Sequence, residues 1–462
     1  MSATRHLASP PTVWPRHTRG RPARRILAVA LGVALGLGTA TAASAQSLLE
    51  LYDAAHAYDA TYLSARALAE SVPYRVEQSE ALLRPSAALG AATGRTASIP
   101  PRDLPSYNAN EASVSVNARQ PLFNRANAAT VSQAEKSLDV SRADLDSAEQ
   151  DLILRLAQAY FDVLGAEDTL VTTRANKAAI SEQLASAKRN FEVGTATITD
   201  TREAQARYDL ATAQEISAQN DLATKRITLD QLVGRTNVEP KQLAAPVTIP
   251  ALEPGDPEAW VRQAETRHPA VRRAQIALDI ARLETTKARA AALPTIDAVG
   301  SVSTARGPLG GNFGGQLGNN SGASIGLQLN MPLYSGGAIQ NRIRETLVLE
   351  ERSQNDLDAA RRSVIQGTRQ AYATLLSGAA QVRALEAAES SSQLALEATQ
   401  LGYRVGVRVN LDVLNAQTQL YQTRRDLARA RYDVLVGNLR LRQAAGVVTE
   451  QDVAAIDRLL AR

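Results

Sequence analysis

Two short stretches of this chain carry the same pattern 212 residues apart. Arg189-Asn190-Phe191-Glu192-Val193-Gly194-Thr195-Ala196-Thr197-Ile198-Thr199-Asp200 and Leu401-Gly402-Tyr403-Arg404-Val405-Gly406-Val407-Arg408-Val409-Asn410-Leu411-Asp412 each hold an aromatic, then Val-Gly, then an Asp six residues beyond the Gly. Gln158-Ala159-Tyr160 returns as Gln370-Ala371-Tyr372 and Gly234 as Gly446 at the same shift, and Gln120-Pro121-Leu122-Phe123 returns as Met331-Pro332-Leu333-Tyr334 with the offset slipped by one. A solenoid unit runs to roughly 20–50 residues, so a period this long means two copies of one large supersecondary motif.

Residues 1–45 read as a signal peptide. Arg19, Arg21, Arg24 and Arg25 precede an apolar run from Ile26 to Leu37, and Ala43-Ser44-Ala45 offers a small-residue cleavage site. The run is shorter than the roughly 20 residues that a spanning helix needs. This leader holds six Arg and no acid; of the 51 basic and 47 acidic residues in the sequence, 45 and 47 remain beyond it, a net of −2. The basic character of the whole chain belongs to the leader, which removes the support for nucleic-acid binding. The sequence has no Cys, so neither disulfides nor a lipid on an N-terminal Cys enter the argument.

Aromatic residues make up only 4% of the sequence, which favours long helices packed through small side chains over a thick aromatic core. The first copy, residues 46–238, opens with a helix expected from Leu48 to about Leu83, with Leu48, Leu51, Ala55 and Tyr58 on one face, ended by Pro85. Residues 86–99 are an ambiguous strand, and Ile99 to Asn110 reads as a loop. Ala112, Val114, Val116 and Ala118 then alternate with Ser113, Ser115, Asn117 and Arg119, the pattern of a strand with one apolar and one polar face.

From Asn124 to about Asn190, Val131, Ala134, Leu138, Ser141, Leu145, Ala148 and Leu152 recur at spacings of three and four, with a four-residue stutter to Leu156. Such a helix is on the order of 100 Å long. After the Val-Gly turn, a helix from Asp200 to about Leu232 completes the copy. It is short, like the helix before the hairpin, and the two together match the long one, so end-to-end stacking beside it is expected. Residues 239–257, with five prolines, form a connector. The second copy, 258–446, repeats the scheme: a helix near 257–293, a hairpin over 295–330 with a Gly/Asn-rich tip from Gly307 to Gly322, a long helix over 336–402, the turn, and a helix over 411–444. A tail, 447–462, ends the chain.

Four strands with an apolar and a polar face suit a wall between lipid and water, yet the smallest closed barrels need about eight. Open strand edges are not viable in a membrane. Oligomerisation is therefore expected, and three copies would supply twelve strands.

In order and duplicated spacing these residues resemble the TolC family of trimeric outer-membrane channel-tunnel proteins, which serve drug efflux and type I secretion. The match runs from Leu48-Leu49-Glu50-Leu51-Tyr52 through the strand-to-helix junctions at Gln120-Pro121-Leu122-Phe123 and Met331-Pro332-Leu333-Tyr334-Ser335-Gly336-Gly337, both Val-Gly turns, and Asn438-Leu439-Arg440-Leu441-Arg442-Gln443-Ala444-Ala445-Gly446. The resemblance implies a mainly α fold with β: a trimeric outer-membrane β-barrel, four strands per protomer, continued by an α-helical coiled-coil barrel across the periplasm, with the connector and C-terminal region in an equatorial belt. It implies a homotrimer in contact with outer-membrane lipid, a periplasmic adaptor and an inner-membrane transporter as partners, and no cofactor.

Residue by residue, the resemblance places Thr199 and Asp200 at gate positions, with Tyr403 and Arg408 as their partners across a closed entrance. Asp412 matches an acidic ring at the constriction. Asn415 stands one helical turn further, where some members carry a second Asp, so divalent cations are expected to block at Asp412, more weakly than at two rings. Val193, Gly194, Thr195, Val405, Gly406 and Val407 match the tips where an adaptor hairpin docks. A plainer role accompanies each: Asp200 and Asp412 would cap helices, and Gly194 and Gly406 would supply a left-handed turn.

Nothing in the sequence points to catalysis. His56 and His268, the only histidines beyond the leader, lie far apart without partners at metal spacing. The Gly307–Gly322 tract has no following Lys-Ser/Thr, and Asp144 and Asp146 belong to a solvated helix face. The competing expectation is a soluble or surface-associated coiled-coil structural or adaptor protein.

Overall fold

A computed structural model describes residues 45–98, 107–244, 252–308 and 317–461. The leader up to residue 44, both hairpin tips and the middle of the connector lie outside the described residues.

The helices expected near 48–83 and 257–293 are each broken in two. The first is α1 (Leu48–Tyr58) and α2 (Ala60–Glu80) with a 3-10 turn at Ala81–Leu83; its counterpart is α5 (Pro257–Arg267) and α6 (Pro269–Ala290). Local capping makes the breaks. The Asp59 carboxylate accepts the Tyr62 N–H at 2.8 Å, and His268 Nδ1 accepts the Ala270 N–H at 3.1 Å. Pro269 also holds His268 out of the helical region.

Each break faces the end of a later helix, α4 (Ile198–Val233) or α8 (Asn410–Ala444). Gly234 and Gly446 follow those helices with φ of +70° and +68°. A Cβ at Gly234 would lie 2.4 Å from the Tyr58 ring, and one at Gly446 would lie 2.5 Å from the His268 Cα. Tyr58, expected on the buried face, is instead exposed, its ring laid over Gly234.

The long helices are α3 (Arg125–Glu192) and α7 (Ala338–Arg404), with α9 (Glu450–Asp457) near the C-terminus. Both α2 and α4 lie along α3, and both α6 and α8 along α7; α3 also touches α6 and α8, which joins the two copies. The stutter region of α3 is the thickest part of the core: Leu152, Leu156, Tyr160, Phe161 and Leu164 pack with α1, α9 and Leu439 of α8. A second core gathers Trp260, Leu278, Leu357 and Leu375. Around this level the first and last described residues meet the connector, with Gln46 bridged to Pro240 and Leu243 to Leu460. The duplicated tyrosines hold opposite ends of that connector. Tyr160 donates to the Lys241 carbonyl at 2.8 Å, and Tyr372 to the Gly255 carbonyl at 2.6 Å.

The strands are β1 (Ser86–Ser98), β2 (Tyr107–Phe123), β3 (Thr295–Pro308) and β4 (Leu317–Asn330). They form one antiparallel sheet in the order β1-β2-β3-β4, so the hairpins of the two copies pair with each other through β2 and β3. The strands reach further than side-chain pattern predicts. Tyr107 to Asn110, expected as loop, is strand, and so are Gly307, Pro308 and Leu317 to Gly322 of the expected Gly/Asn-rich tip. Backbone ladder bonds need no particular side chain, and partner strands supply them.

Register separates the faces. Leu89 pairs with Val116, Val116 with Val302, and Ala298 with Leu327, so Leu89, Val116, Val302, Ile325, Leu327 and Leu329 share one face and are exposed. Ser115, Asn117, Arg119, Ser301, Ser324 and Gln328 share the other.

Candidate functional site

The two tip turns are closed by the same backbone bonds, 212 residues apart. The Val193 N–H donates to the Arg189 carbonyl at 3.1 Å, Gly194 to Phe191 at 3.0 Å and Thr195 to Asn190 at 2.7 Å; Val405, Gly406 and Val407 repeat them onto Leu401, Tyr403 and Gly402 at 3.1, 3.1 and 2.9 Å. Gly194 and Gly406 have φ of +81° and +79°, a conformation in which a side chain is strained. Val193, Val405 and Val407 are exposed.

Where the copies differ in sequence, they differ in chemistry. The first helix start is capped by Thr197, not by Asp200 as expected. Asp200 sits three residues on and closes a capping box, accepting the Thr197 N–H at 3.0 Å and its hydroxyl at 2.7 Å. In the second copy the capping position is Val409, which has no side-chain oxygen, so Asp412 has no box to close. It pairs instead with Arg408 at 3.6 Å. The first copy has Ala196 at the place of Arg408. Gly402 makes room for that arginine: a Cβ there would lie 2.8 Å from the Arg408 Cγ.

The structure connects the copies through residues the sequence reading did not select. Asn190 donates to the Tyr403 hydroxyl at 3.1 Å. Arg207 of α4 donates to the Asn415 side-chain oxygen at 3.0 Å, and Gln183 of α3 donates to buried Asn410. Leu414 of α8, fully buried, packs among Ile180, Leu184, Ala187, Ala204 and Ala211 of the first copy. Among the gate residues expected to meet, Tyr403 is tied to Asn190, Arg408 to Asp412 and Asp200 to Thr197; Thr199 is exposed. The signal that could have found these partners is departure from the repeat: Asn190 against Gly402, Ala196 against Arg408, and Thr197 against Val409 break the 212-residue correspondence.

Further from the tip, Glu215 of α4 is clamped by Lys177 at 3.0 Å and Arg174 at 3.1 Å of α3; the Lys177 and Arg174 bonds hold its carboxyl below the usual range. The Tyr432 hydroxyl of α8 donates to Asp168 of α3 at 2.6 Å. Burial raises the Asp168 carboxyl in spite of that bond. Among the described residues no group of three or more His, Cys, Asp or Glu is arranged to hold a metal. The polar contacts among these are few and reversible, so the arrangement can hold or release helix ends.

The profile of the family described as "Outer membrane efflux protein" matches residues 40–235 and 260–447, one segment per copy. The chain belongs to this family. It is 30% identical over 450 residues to the outer membrane protein TolC of Escherichia coli strain K12, covering 95% of this chain and 90% of that protein. It is 33% identical over 361 residues to the alkaline protease secretion protein AprF of Pseudomonas aeruginosa, covering 77% and 73%. The fold matches the crystal structure of the outer membrane protein VceC of Vibrio cholerae with a TM-score of 0.74 at 17% identity, covering 87% of this chain and 96% of that one. The protein is an outer-membrane exit duct of the efflux and secretion kind, which sets aside the soluble coiled-coil alternative. No described helix is long and apolar enough to cross a membrane. The exposed apolar face of the sheet suits a wall against lipid.

Proposed function

We propose that three copies assemble into one duct, a twelve-stranded barrel continued by a helical tunnel, which serves as the exit of a tripartite export machine. The observation that carries this reading is the isolated four-stranded sheet. β1 and β4 are its two unpaired edges, and an apolar face with open edges is stable in lipid only when neighbouring copies close it. A periplasmic adaptor meets the tips, where Val193, Gly194, Thr195, Val405, Gly406 and Val407 are exposed on two turns closed by backbone hydrogen bonds. An inner-membrane transporter supplies the energy. Relatives bear both efflux and protease-secretion names, and this duct is assigned to drugs or secreted polypeptides without choosing between them.

The entrance is held closed by Thr199, Asp200, Tyr403 and Arg408, to which the Asn190 bond to Tyr403 adds a link within the protomer. Asp412 and Asn415 line the constriction. Each exposed link is worth only about 0–1 kcal/mol, so a threefold set gives a gate that an adaptor can open. We divide the chain into a leader at 1–45, copies at 46–238 and 258–446, the connector at 239–257 and a tail at 447–462.

Planar-bilayer conductance tests this, comparing the wild type with the double variant Asp200→Ala, Arg408→Ser. A small wild-type conductance that rises several-fold in the variant is the expected result. Pores of equal conductance in both would sink the gate assignment and leave the duct, and absence of an SDS-resistant, heat-dissociable trimer would sink the assembly.

A further inference from the structure

The charges of the sheet are sorted between its faces. Its described strands contain three arginines and two carboxylates: Arg95, Arg119, Arg306, Glu111 and Asp297. Glu111 and Asp297 are both on the polar, lumen-facing side, and Arg119 pairs with Asp297 at 2.6 Å on that side. Arg95 and Arg306 are on the other side. Arg95 pairs in register with Asn110 and Arg306 with Ala112 and Asn319, positions that continue the Leu89, Val116 and Ile325 face. Both are exposed, and among the described residues neither makes an ion pair.

Their height is equally specific. Arg95 lies six residues beyond Leu89 on β1, and Arg306 four residues beyond Val302 on β3, toward the hairpin ends and away from the helices. At about 3.3 Å per residue these rises carry the guanidinium groups out of the apolar band and into the level of lipid headgroups. Asn110 and Asn319 share that level and face. Two strand spacings and one step of register put the two arginine Cα atoms on the order of 12 Å apart, so both side chains reach one headgroup.

We propose that Arg95 and Arg306 form a phosphate-binding pair on the lipid-facing wall, specific for the phosphorylated glycolipid of the outer leaflet. Guanidinium matches phosphate in charge and in its two-pronged geometry. Among the described residues no carboxylate on that face competes for it. The assignment rests on the duct reading, which places the helices on the periplasmic side and the hairpin ends outside.

Native mass spectrometry of the detergent-solubilised full-length protein tests the pair, titrated with bisphosphorylated lipid A, phosphate-free lipid A and phosphatidylglycerol. The variants are Arg95→Gln with Arg306→Gln, and Arg352→Gln on α7 as a control. Wild type and control should bind bisphosphorylated lipid A about ten-fold more tightly than the double variant, with phosphate-free lipid A bound weakly by all three. Equal binding of bisphosphorylated and phosphate-free lipid A, or an unchanged double variant, would overturn the proposal. A double variant that weakens phosphatidylglycerol and bisphosphorylated lipid A equally would overturn the glycolipid specificity. Failure of the duct reading would show separately, as a wild type without an SDS-resistant trimer.

Discussion

Asp200 and Asp412 stand at the same place in two duplicated turns and hold different partners. Asp200 accepts from Thr197 at 2.7 Å within a capping box, whereas Asp412 faces Arg408 at 3.6 Å. One residue three positions earlier decides between them: a Thr offers an oxygen to the helix start, and a Val does not. The duplicated motif thus carries one turn closed by a capping box and one turn with a solvent-accessible ion pair.

Val409→Thr should draw Asp412 into a box with the new hydroxyl and loosen Arg408. The expected outcome is a closed-state conductance raised about two- to five-fold, since a single exposed pair is worth no more than about 1 kcal/mol. An unchanged conductance would show that the Arg408–Asp412 pair does not hold the entrance.

Divalent block should be weak in the wild type, because Arg408 screens Asp412 and Arg207 donates to Asn415. Asn415→Asp adds a carboxylate per protomer and should lower the blocking concentration about ten-fold. Arg207→Gln should act in the same direction, more weakly. Single-channel recordings with added divalent cations decide, and an insensitive Asn415→Asp would remove residues 412 and 415 from the constriction.

Substituting Ala for Gly should be ranked by what the new Cβ meets. At Gly194 the space is open, so only the left-handed backbone costs, about 1 kcal/mol. At Gly446 a Cβ would lie 2.5 Å from the backbone of His268, adding about 1–3 kcal/mol of overpacking. The melting temperature should fall clearly for Gly446→Ala and little for Gly194→Ala.

Asp59 couples a helix cap to an ion pair. It accepts the Tyr62 N–H at 2.8 Å and two bonds from Arg155 at 3.0 and 3.1 Å, and the Arg155 bonds hold its carboxyl below the usual range. Its contribution is therefore present above the unfolded value of about 4 and is lost as pH falls through the lower folded value. Asp59→Ala should destabilise the fold by about 2–3 kcal/mol at neutral pH and flatten its acid transition in a thermal melt.

Asp168 has the opposite sign. Burial raises its carboxyl, so the ionised form is a burden in the folded state, and stability increases as pH falls through the raised value. Asp168→Asn keeps an acceptor for the Tyr432 hydroxyl and should leave the neutral-pH melting temperature unchanged or higher. A marked fall would mean that the charge itself is needed there.

Much of this protein was legible in the sequence because its information is periodic. The 212-residue shift located both turns and both long helices, and the two-residue alternation of Ala112 to Arg119 and Ala323 to Asn330 sorted those strands into an apolar face and a polar face. Hydrophobic period reports local structure directly, since 3.6 and 2 residues per turn are properties of the backbone itself. What tertiary structure decided lies where two distant segments meet. Asp59 and His268 cap the two breaks locally, but only packing brings Gly234 and Gly446, and with them later helix ends, against those points. Tyr107 and Leu317 join strands because neighbouring backbones offer ladder bonds. Arg207 and Leu414 link the copies although nothing adjacent in sequence marks them, and Asn190 is marked only by its departure from the repeat. Period is a property of one segment; a partner is a property of two, and only packing brings the second one near.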